Sequence, residues 1–552
     1  MLRRIYHAAP IAFLAACAHG ATAPAEAPVQ PAPAAAGVAQ SLYIREFRVL
    51  GARELAAVEV EEAVYPYLGP GRTLDDVEQA RAALEKAYQA KGFQGASVQV
   101  PPQKGRGGVV FLQVSTGTVA KLRVKGSRYY LPSDIKRRAQ SLAEGRAVNF
   151  NDVTREIVAL NQLPDRQITP ELRPGIEPGT VEVDLNVKDK FPLHGSVELN
   201  NRYNANTTPL RLTASANYNN LWQLGHTVGF SYQVAPERRQ DAEIYSGYYI
   251  ARFPGVESFS LMVQGRKQDS NILLSDSKGG TVSTTNNVVA PGESYGIRGI
   301  ITLPPLKDYY HSLTVGFDYS HFENDVFIST PAGPIVLSSP FTYYPVSASY
   351  SGTWAGKTST TDLNIGVTVG IRGPGSTPQE FENNRFDART NFIKLRGDLS
   401  HTRDLPYGTE GFVKVEGQIS DQPLVNTEQI AAGGLISVRG YLEGEVLADN
   451  GVSGTLELRS PNLLGWVKHA EGAKKEDNEW RFYFFGDAGA FALRSSLPEQ
   501  KDHFTLASYG VGTRMRLLGH LNGSLDAAVP VFSQTETHAG DARLTFRVSA
   551  DF

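Results

Sequence analysis

The chain has 552 residues and a formal net charge of −3, from 54 Lys and Arg against 57 Asp and Glu. That length exceeds one ordinary domain, and the near-neutral balance argues against nucleic acid as a partner. Past the N-terminus no run of about 18 apolar residues occurs, so no membrane-spanning helix is expected; 24 Tyr, 25 Phe and 53 Gly instead suit a β-rich chain with an aromatic-studded surface.

The chain opens on a targeting segment. Arg3 and Arg4 form a charged start, Ala8 to Ala16 a short apolar stretch, and small residues follow, so residues 1–20 read as an export signal peptide. Cys17 is the only cysteine, so no intramolecular disulfide is possible. The run Leu14-Ala15-Ala16-Cys17 resembles a bacterial lipobox, which makes Cys17 a candidate lipidation site; cleavage at an Ala-x-Ala-like site is the competing reading. Residues 21–40, ATAPAEAPVQPAPAAAGVAQ, cannot bury a core and read as an extended linker.

Order is expected from Ser41. YIREFRVLG reads as a strand and Val58 to Leu68 as a helix. Thr73 to Asp76 reads as a capping box opening a second helix, with Val77, Leu84 and Tyr88 on one face. The strands ASVQV and VVFLQV follow. The same β-α-α-β-β order then repeats: VAKLRVKG, a helix marked by Ile135, Ala139 and Leu142, another marked by Val153, Ile157 and Leu160, then RQITPELRPG and TVEVDLNVKD. An internal repeat of about 75 residues is an organisational signal. Its order and length resemble POTRA domains, the periplasmic modules that precede some outer-membrane barrels. Residues 41–116 are taken as the first and 117–190 as the second.

From residue 191 to 552 the helical period disappears and strands alternate. Val228, Phe230 and Tyr232 interleave with Thr227, Gly229 and Ser231; Leu313, Val315 and Phe317 with Thr314 and Gly316; Leu363, Ile365, Val367 and Val369 with Asn364, Gly366 and Thr368. Apolar residues outward and small polar residues inward, in strands of roughly 9–11 residues, form the signature of a transmembrane β-barrel. FPGVES reads as a short turn and Lys267 to Ser294 as a long polar loop. At about 22 residues per strand with loops, the region holds about 16 antiparallel strands. The chain ends on Leu544, Phe546, Val548, Ala550 and Phe552 along one face, and Phe552 resembles the assembly signal of bacterial outer-membrane barrels.

No catalytic constellation emerges, and neither a cofactor nor a metal site is expected. Gly292-Glu293-Ser294-Tyr295-Gly296 fits G-x-S-x-G, but that motif needs a helix after it, and here a strand follows. The 11 histidines are scattered without ligand spacing. The glycine-rich stretch GGLISVRGYLEGEVLADNG, residues 433–451, carries a lone arginine, Arg439. Downstream, WRFYFFGDAGAF places Trp480, Phe482 and Phe484 outward, and Tyr483, Phe485, Asp487 and Gly489 inward. Asp487 is a candidate partner for Arg439, with Gly486 and Gly489 leaving room for a guanidinium. A solvated Arg439 or a local pair with Glu443 are the alternatives.

SVRGYLEGEVLADNG resembles the sixth extracellular loop of two-partner secretion transporters, the TpsB family. FFGDAGAF resembles the F-x-D-x-G strand of the superfamily, which also contains the central subunit of the barrel-assembly machinery. NQLPDRQITPELRPGIEPGTVEVDLNVKD resembles the second POTRA domain of the family, and NNLWQLGHTVGFSYQVAPE and SLDAAVPV its barrel strands. The resemblance implies that Val438, Arg439, Gly440 and Tyr441 lie on a loop folded into the lumen. It also implies that Arg439 meets Asp487 within the Phe485, Asp487, Gly489 motif. It implies a non-enzymatic transporter of the bacterial outer membrane, with its POTRA domains in the periplasm. Its expected partners are a secreted exoprotein (a large β-helical adhesin or hemolysin-like protein), outer-membrane lipid, and the barrel-assembly machinery during biogenesis. An assembly or insertion factor of the same superfamily is the alternative. Many relatives carry a plug helix before the first POTRA domain, and residues 21–40 are too short and Pro-rich to supply it.

Overall fold

The computed structural model describes residues 41–103, 107–253, 255–256, 258–269, 272–273, 288–289, 291–330, 333–466, 478–496 and 500–552. The expectations for the signal peptide, the linker and Cys17 fall outside these residues. The chain divides into two units, one of residues up to 90 with 96–115, the other of 91–95 with 116–552.

In the first unit the expected opening strand is broken at Arg45 into β1 (Leu42–Ile44) and β2 (Glu46–Leu50). Helix α1 (Ala57–Val64) stops earlier than expected and tightens into a 3₁₀ turn over Tyr65–Tyr67, because Pro66 has no N–H to extend the ladder. After β3 (Gly69–Arg72) comes α2 (Leu74–Ala90), capped as expected: the Thr73 amide donates to Asp76 at 2.7 Å and the Asp76 amide to the Thr73 hydroxyl at 3.4 Å. It buries Val77, Ala80, Leu84 and Tyr88. Strands β4 (Ser97–Gln99) and β5 (Val109–Ser115) complete a sheet in the order β2-β5-β4, with β2 parallel to β5.

The second unit starts with another small α+β module. Strand β6 (Thr118–Lys125) leads to α3 (Pro132–Arg138), α4 (Phe150–Leu160), β7 (Arg166–Pro174) and β8 (Thr180–Asp189). The helix marked by Ile135, Ala139 and Leu142 is broken at Ala139, where a 3₁₀ turn takes over. The carboxylate of Glu156 accepts from the Ser141 amide at 3.0 Å and from its hydroxyl, which offers this segment a partner outside the helix. All three marker side chains are nevertheless buried in one core with Val153, Leu160, Ile168, Val183 and Leu185. The sheet order is β6-β8-β7, so β8 is central and β7 is an edge.

The barrel follows. Its first strands are β9 (Leu193–Asn200), β10 (Arg211–Leu221), β11 (His226–Val234), β12 (Glu243–Arg252) and β13 (Phe259–Gln268). A small pair, β14 (Ile272–Leu273) and β15 (Val288–Val289), stands apart from the wall. The wall resumes with β16 (Gly292–Thr302), β17 (Tyr309–Thr330), β18 (Gly333–Tyr343), β19 (Pro345–Ala355), β20 (Ser359–Gly370), β21 (Ile393–Asp404) and β22 (Glu410–Ser420). Beyond an internal pair, β23 (Ile430–Ala432) and β24 (Val446–Ala448), it closes with β25 (Asn450–Arg459), β26 (Glu479–Ala492), β27 (His503–Leu517), β28 (Leu521–Pro530) and β29 (Arg543–Asp551). Seventeen segments form the closed ladder. Both β18 and β19 pair with the 22-residue β17, so they are one strand interrupted at Tyr344, and the barrel has the expected 16 strands.

Two expectations shift at the strand ends: β13 runs through Gln268 and β16 begins at Gly292, so both ends of the supposed 267–294 loop are wall. Alternation sets the faces. Phe230, Val315, Ile365, Phe484 and Val548 are exposed on the outside, where a lipid band would cover them. An even strand number puts both ends of the barrel at one rim, that of the β6–β8 module. The module is joined there by Asp165, which hydrogen-bonds His194 at 2.7 Å and Asn219 at 2.8 Å, and by Arg138, which donates to Leu224 O at 3.1 Å.

The seam between β29 and β9 has five register pairs, whereas every other ladder in the wall has eight or more. It is lengthened at both ends. The Asn201 side chain donates to Leu544 O at 2.9 Å and accepts from Phe546 N at 2.7 Å, and the backbones of Gly195 and Phe552 exchange two bonds of 3.0 and 2.9 Å. A Cβ on Gly195 would lie 2.2 Å from the Phe552 ring, so only glycine leaves that ring its place.

Candidate functional site

The loops of the rim away from the β6–β8 module are numbered in chain order; those that matter are L1 (201–210), L5 (371–392), L6 (421–449), L7 (493–502) and L8 (531–542). L6 turns back into the lumen. Most of its side chains from Leu424 to Asp449 are buried, which a surface loop with four glycines would not be.

At its tip, Arg439 is buried and reaches the wall. Its Nε donates to Asp487 at 2.7 Å, its Nη2 to the other oxygen at 2.8 Å, and its own amide to Asp487 at 3.1 Å. Nη1 donates to Glu457 at 2.8 Å and lies 3.4 Å from Asp526. The guanidinium stacks 3.5 Å from the centre of the Phe485 ring. Glu457 also accepts from Arg459 at 2.8 Å and from Arg514 at 3.1 Å, and Asp526 accepts from the Tyr483 hydroxyl at 2.7 Å. Three guanidiniums thus meet three carboxylates. Burying one unpaired charge would be costly; a balanced set with its hydrogen bonds made offsets much of that desolvation.

The other expected residues lie close by. Val438 and Tyr441 are buried in one cluster with Ile430, Val446, Phe491 and Leu506. The Tyr441 hydroxyl donates to Phe532 O at 2.8 Å and accepts from the Phe532 amide at 3.2 Å, which ties the tip to L8. Gly440 has φ +91°, and a Cβ there would sit 3.3 Å from the Ala528 methyl, so conformation and close approach both require glycine. The roles expected of Gly486 and Gly489 need correcting. Gly486 faces outward, and Gly489 faces the ring of Phe491. The flat face on which the guanidinium rests is Phe485. Glu443, the alternative partner, pairs instead with Arg202 of L1 at 2.8 Å.

A second fork holds the stem of L6. Arg385 of L5 places both terminal nitrogens 2.7 Å from the carboxylate oxygens of Asp449. Asp449 also accepts from the amides of Leu424 at 2.9 Å and Arg494 at 2.7 Å. Sequence reasoning did not find this pair, nor Glu457 and Asp526. Inward parity in LELRS and SLDAAVPV marks the last two as lumen carboxylates; nothing local marks Arg385. Ser294 of the G-x-S-x-G match sits mid-strand in β16, with no helix after it. Among the described residues, no group of three or more His, Cys, Asp or Glu could hold a metal ion.

A family model described as haemolysin secretion/activation protein ShlB/FhaC/HecB matches residues 179–515, more than half of the chain. The chain belongs to the haemolysin secretion/activation family. A ShlB-type POTRA model matches residues 42–117, across the first β-α-α-β-β unit. The outer membrane transporter CdiB of Escherichia coli is 22% identical over 496 residues, covering 88% of this chain and 78% of that protein. The heme/hemopexin transporter protein HuxB of Haemophilus influenzae is 19% identical over 407 residues, covering 72% and 68%. The solved structure of CdiB from Escherichia coli aligns with a TM-score of 0.60 at 19% identity, over 95% of this chain and 93% of that one. This member of the secretion/activation family is therefore a two-partner secretion transporter of the outer membrane, with its POTRA region in the periplasm. The rim bearing L1 to L8 is then the outer one.

Proposed function

We propose that the exported exoprotein is captured unfolded at the periplasmic modules and passes through the lumen once the tip of L6 leaves its seat. The observation that carries this reading is the buried Arg439–Asp487 fork, which seats a loop of the chain itself inside the lumen. Capture fits β-augmentation, in which an extended segment adds to an open sheet edge. Of the segment Arg166 to Lys188, β7 offers that edge, since β8 is already paired on both sides. The edge of β6 is partly occupied by residues 145–148, where Val119 N donates to Arg146 O at 2.8 Å. The periplasm holds no ATP, so drive comes from folding of the exoprotein outside. Outer-membrane lipid covers the outward face, and Phe552 at the seam is the residue offered to the barrel-assembly machinery. An exoprotein of β-helical adhesin or hemolysin type suits this route, because it gains its fold only after exit.

The five-pair seam favours a second reading, insertion of other barrels through an opened β9–β29 edge. Comparing culture medium and outer membranes with and without the gene separates the two. Loss of one large protein from the medium is expected. An unchanged medium with a general fall in other barrels would sink the export reading and leave the insertase.

A further inference from the structure

L6 leaves the wall at Ser420 and rejoins it at Asn450, and the stem between these points is covered by L5. Helix α5 (Pro378–Asn384) in L5 is capped by Thr377 and Glu380, whose carboxylate accepts from the Thr377 amide at 2.6 Å. Its Phe381 is fully buried in one cluster with Phe341, Tyr343 and Phe392, and with Leu424 and Val425 of the descending leg of L6. Directly after the helix, Arg385 forks onto Asp449, donates to Leu424 O at 2.7 Å and donates to Arg494 O at 3.1 Å. One side chain thereby gathers L5, both legs of L6 and L7. Asp449 has no exposed side-chain surface and takes a further bond from the Gln429 amide at 3.2 Å.

This arrangement is independent of the tip. It lies at the outer mouth and shares no residue with the Arg439 cluster. A loop held only at its tip is freed when that fork breaks; this one keeps its stem pinned. L5 joins the wall at β20 and β21, and between them Phe381 in its cluster, the Arg385 fork and the bond from Gln422 to Asn391 O hold it against the stem.

We propose that Arg385 is a positioning residue for export: seated on Asp449, it makes L5 an outer bolt across the stem of L6, and the pore opens only when that bolt lifts. The inference rests on the export reading. It assigns to L5 a restraint on opening that acts from the cell exterior, where a folding exoprotein emerges.

Locking the bolt tests it. Asp387 of L5 and Ser495 of L7 already touch, carboxylate to hydroxyl, at 3.3 Å, and both hold positive φ without being glycine. The pair Asp387→Cys with Ser495→Cys would tie L5 down; the sole native cysteine, Cys17, is exchanged for serine in the same chain. With the disulfide formed, secretion should fall roughly tenfold or more and return on adding reductant, as expected when a required state is removed from the equilibrium. Secretion at the level of the reduced protein, with the disulfide shown complete by gel shift, overturns the proposal. Cys17→Ser alone is the reference for the disulfide chain; if the native chain itself exports nothing, it is the export reading that has failed. Arg385→Ala gives a measurement that needs no exoprotein. Its heat-modifiable barrel should form normally, while resting conductance in planar bilayers and vancomycin sensitivity of cells both rise several-fold. Phe381→Ala, which loosens the same loop without touching the ion pair, should do likewise. Wild-type conductance in a correctly inserted Arg385→Ala or Phe381→Ala barrel counts against the bolt.

Discussion

At its tip L6 offers an arginine to a carboxylate of the wall; at its stem the carboxylate of Asp449 receives an arginine from another loop. Both forks have bonds of 2.7–2.8 Å and both are buried. They differ in what else depends on them. Asp487 takes all of its described side-chain bonds from Arg439 alone, within a set of six charges that balance. Asp449 additionally holds backbone amides of L6 and L7. The tip is thus built as a separable contact, one residue against a prepared socket. The stem is built as a junction whose loss leaves amides of two loops unpartnered. At the tip one contact has to break; at the stem Arg385 can lift while the amides of Leu424 and Arg494 still hold Asp449 in place.

The largest expected effect comes from breaking the tip. Asp487→Ala leaves a buried guanidinium beside two remaining carboxylates, and breaking a buried pair costs about 3–5 kcal/mol. The barrel should stay inserted while secretion collapses. Arg439→Ala should match it, and the double variant should be no worse than either, because residues acting as one unit are not additive. Secretion assays that show independent, additive losses would break the comparison. Arg439→Lys should also fail in large part, since an ammonium cannot span two oxygens.

At the stem, Asp449→Asn keeps an acceptor but loses the fork and its charge. A charge-assisted bond contributes about 1.5–3 kcal/mol, so a smaller loss is expected, seen as faster external proteolysis of L5 and L6 together. Cleavage of one loop without the other would show that the junction does not couple them. At the seam, removing Phe552 deletes the ring seated over Gly195 and its two backbone bonds there; a lower yield of heat-modifiable barrel is the measurement. Equal yields would remove Phe552 from closure.

The smallest effect sharpens the contrast with a buried carboxylate whose cations, unlike those of the two forks, are partly exposed to water. On the periplasmic sheet, Asp184 accepts from Lys125 at 2.6 Å and Arg123 at 2.8 Å, and these bonds hold its pKa down at about 2. A carboxylate depressed on folding stabilises above its unfolded value, about 3.9, and that contribution is lost as pH falls from there towards 2. Asp184→Asn should flatten acid destabilisation of this module in that window and change secretion little. An unchanged acid profile in the variant would show that the cations stay solvated.

The barrel was legible in the sequence because period-two alternation runs through strands such as β11, β17 and β20. The faces of Trp480 to Asp487 follow from parity alone. Parity also puts Glu457 and Asp526 in the lumen, but it cannot say that they stand level with Asp487. Level depends on the stagger between strands, which accumulates around the barrel. Gly486 was misjudged because it faces outward, with nothing within 4 Å of a Cβ there, and Gly489 because a glycine marks a close approach without naming what approaches. Arg385 was illegible. Sixty-four positions separate it from Asp449, and the path of L5 over the stem is set by burial of Phe381, whose neighbours come from strands and loops far apart in the chain. The break at Ala139 was hidden because a 3₁₀ turn leaves Leu142 on the buried side, as a continued helix would.

The long strand β17 sets how far the molecule reaches. Twenty-two residues at about 3.3 Å each extend roughly 70 Å, and at a tilt of about 40° they rise some 55 Å, against a lipid-facing band of about 25 Å. The hairpin it forms with β18 therefore stands well clear of the bilayer on the outer side. An antibody, a bacteriophage or a neighbouring cell meets that hairpin outside the bilayer.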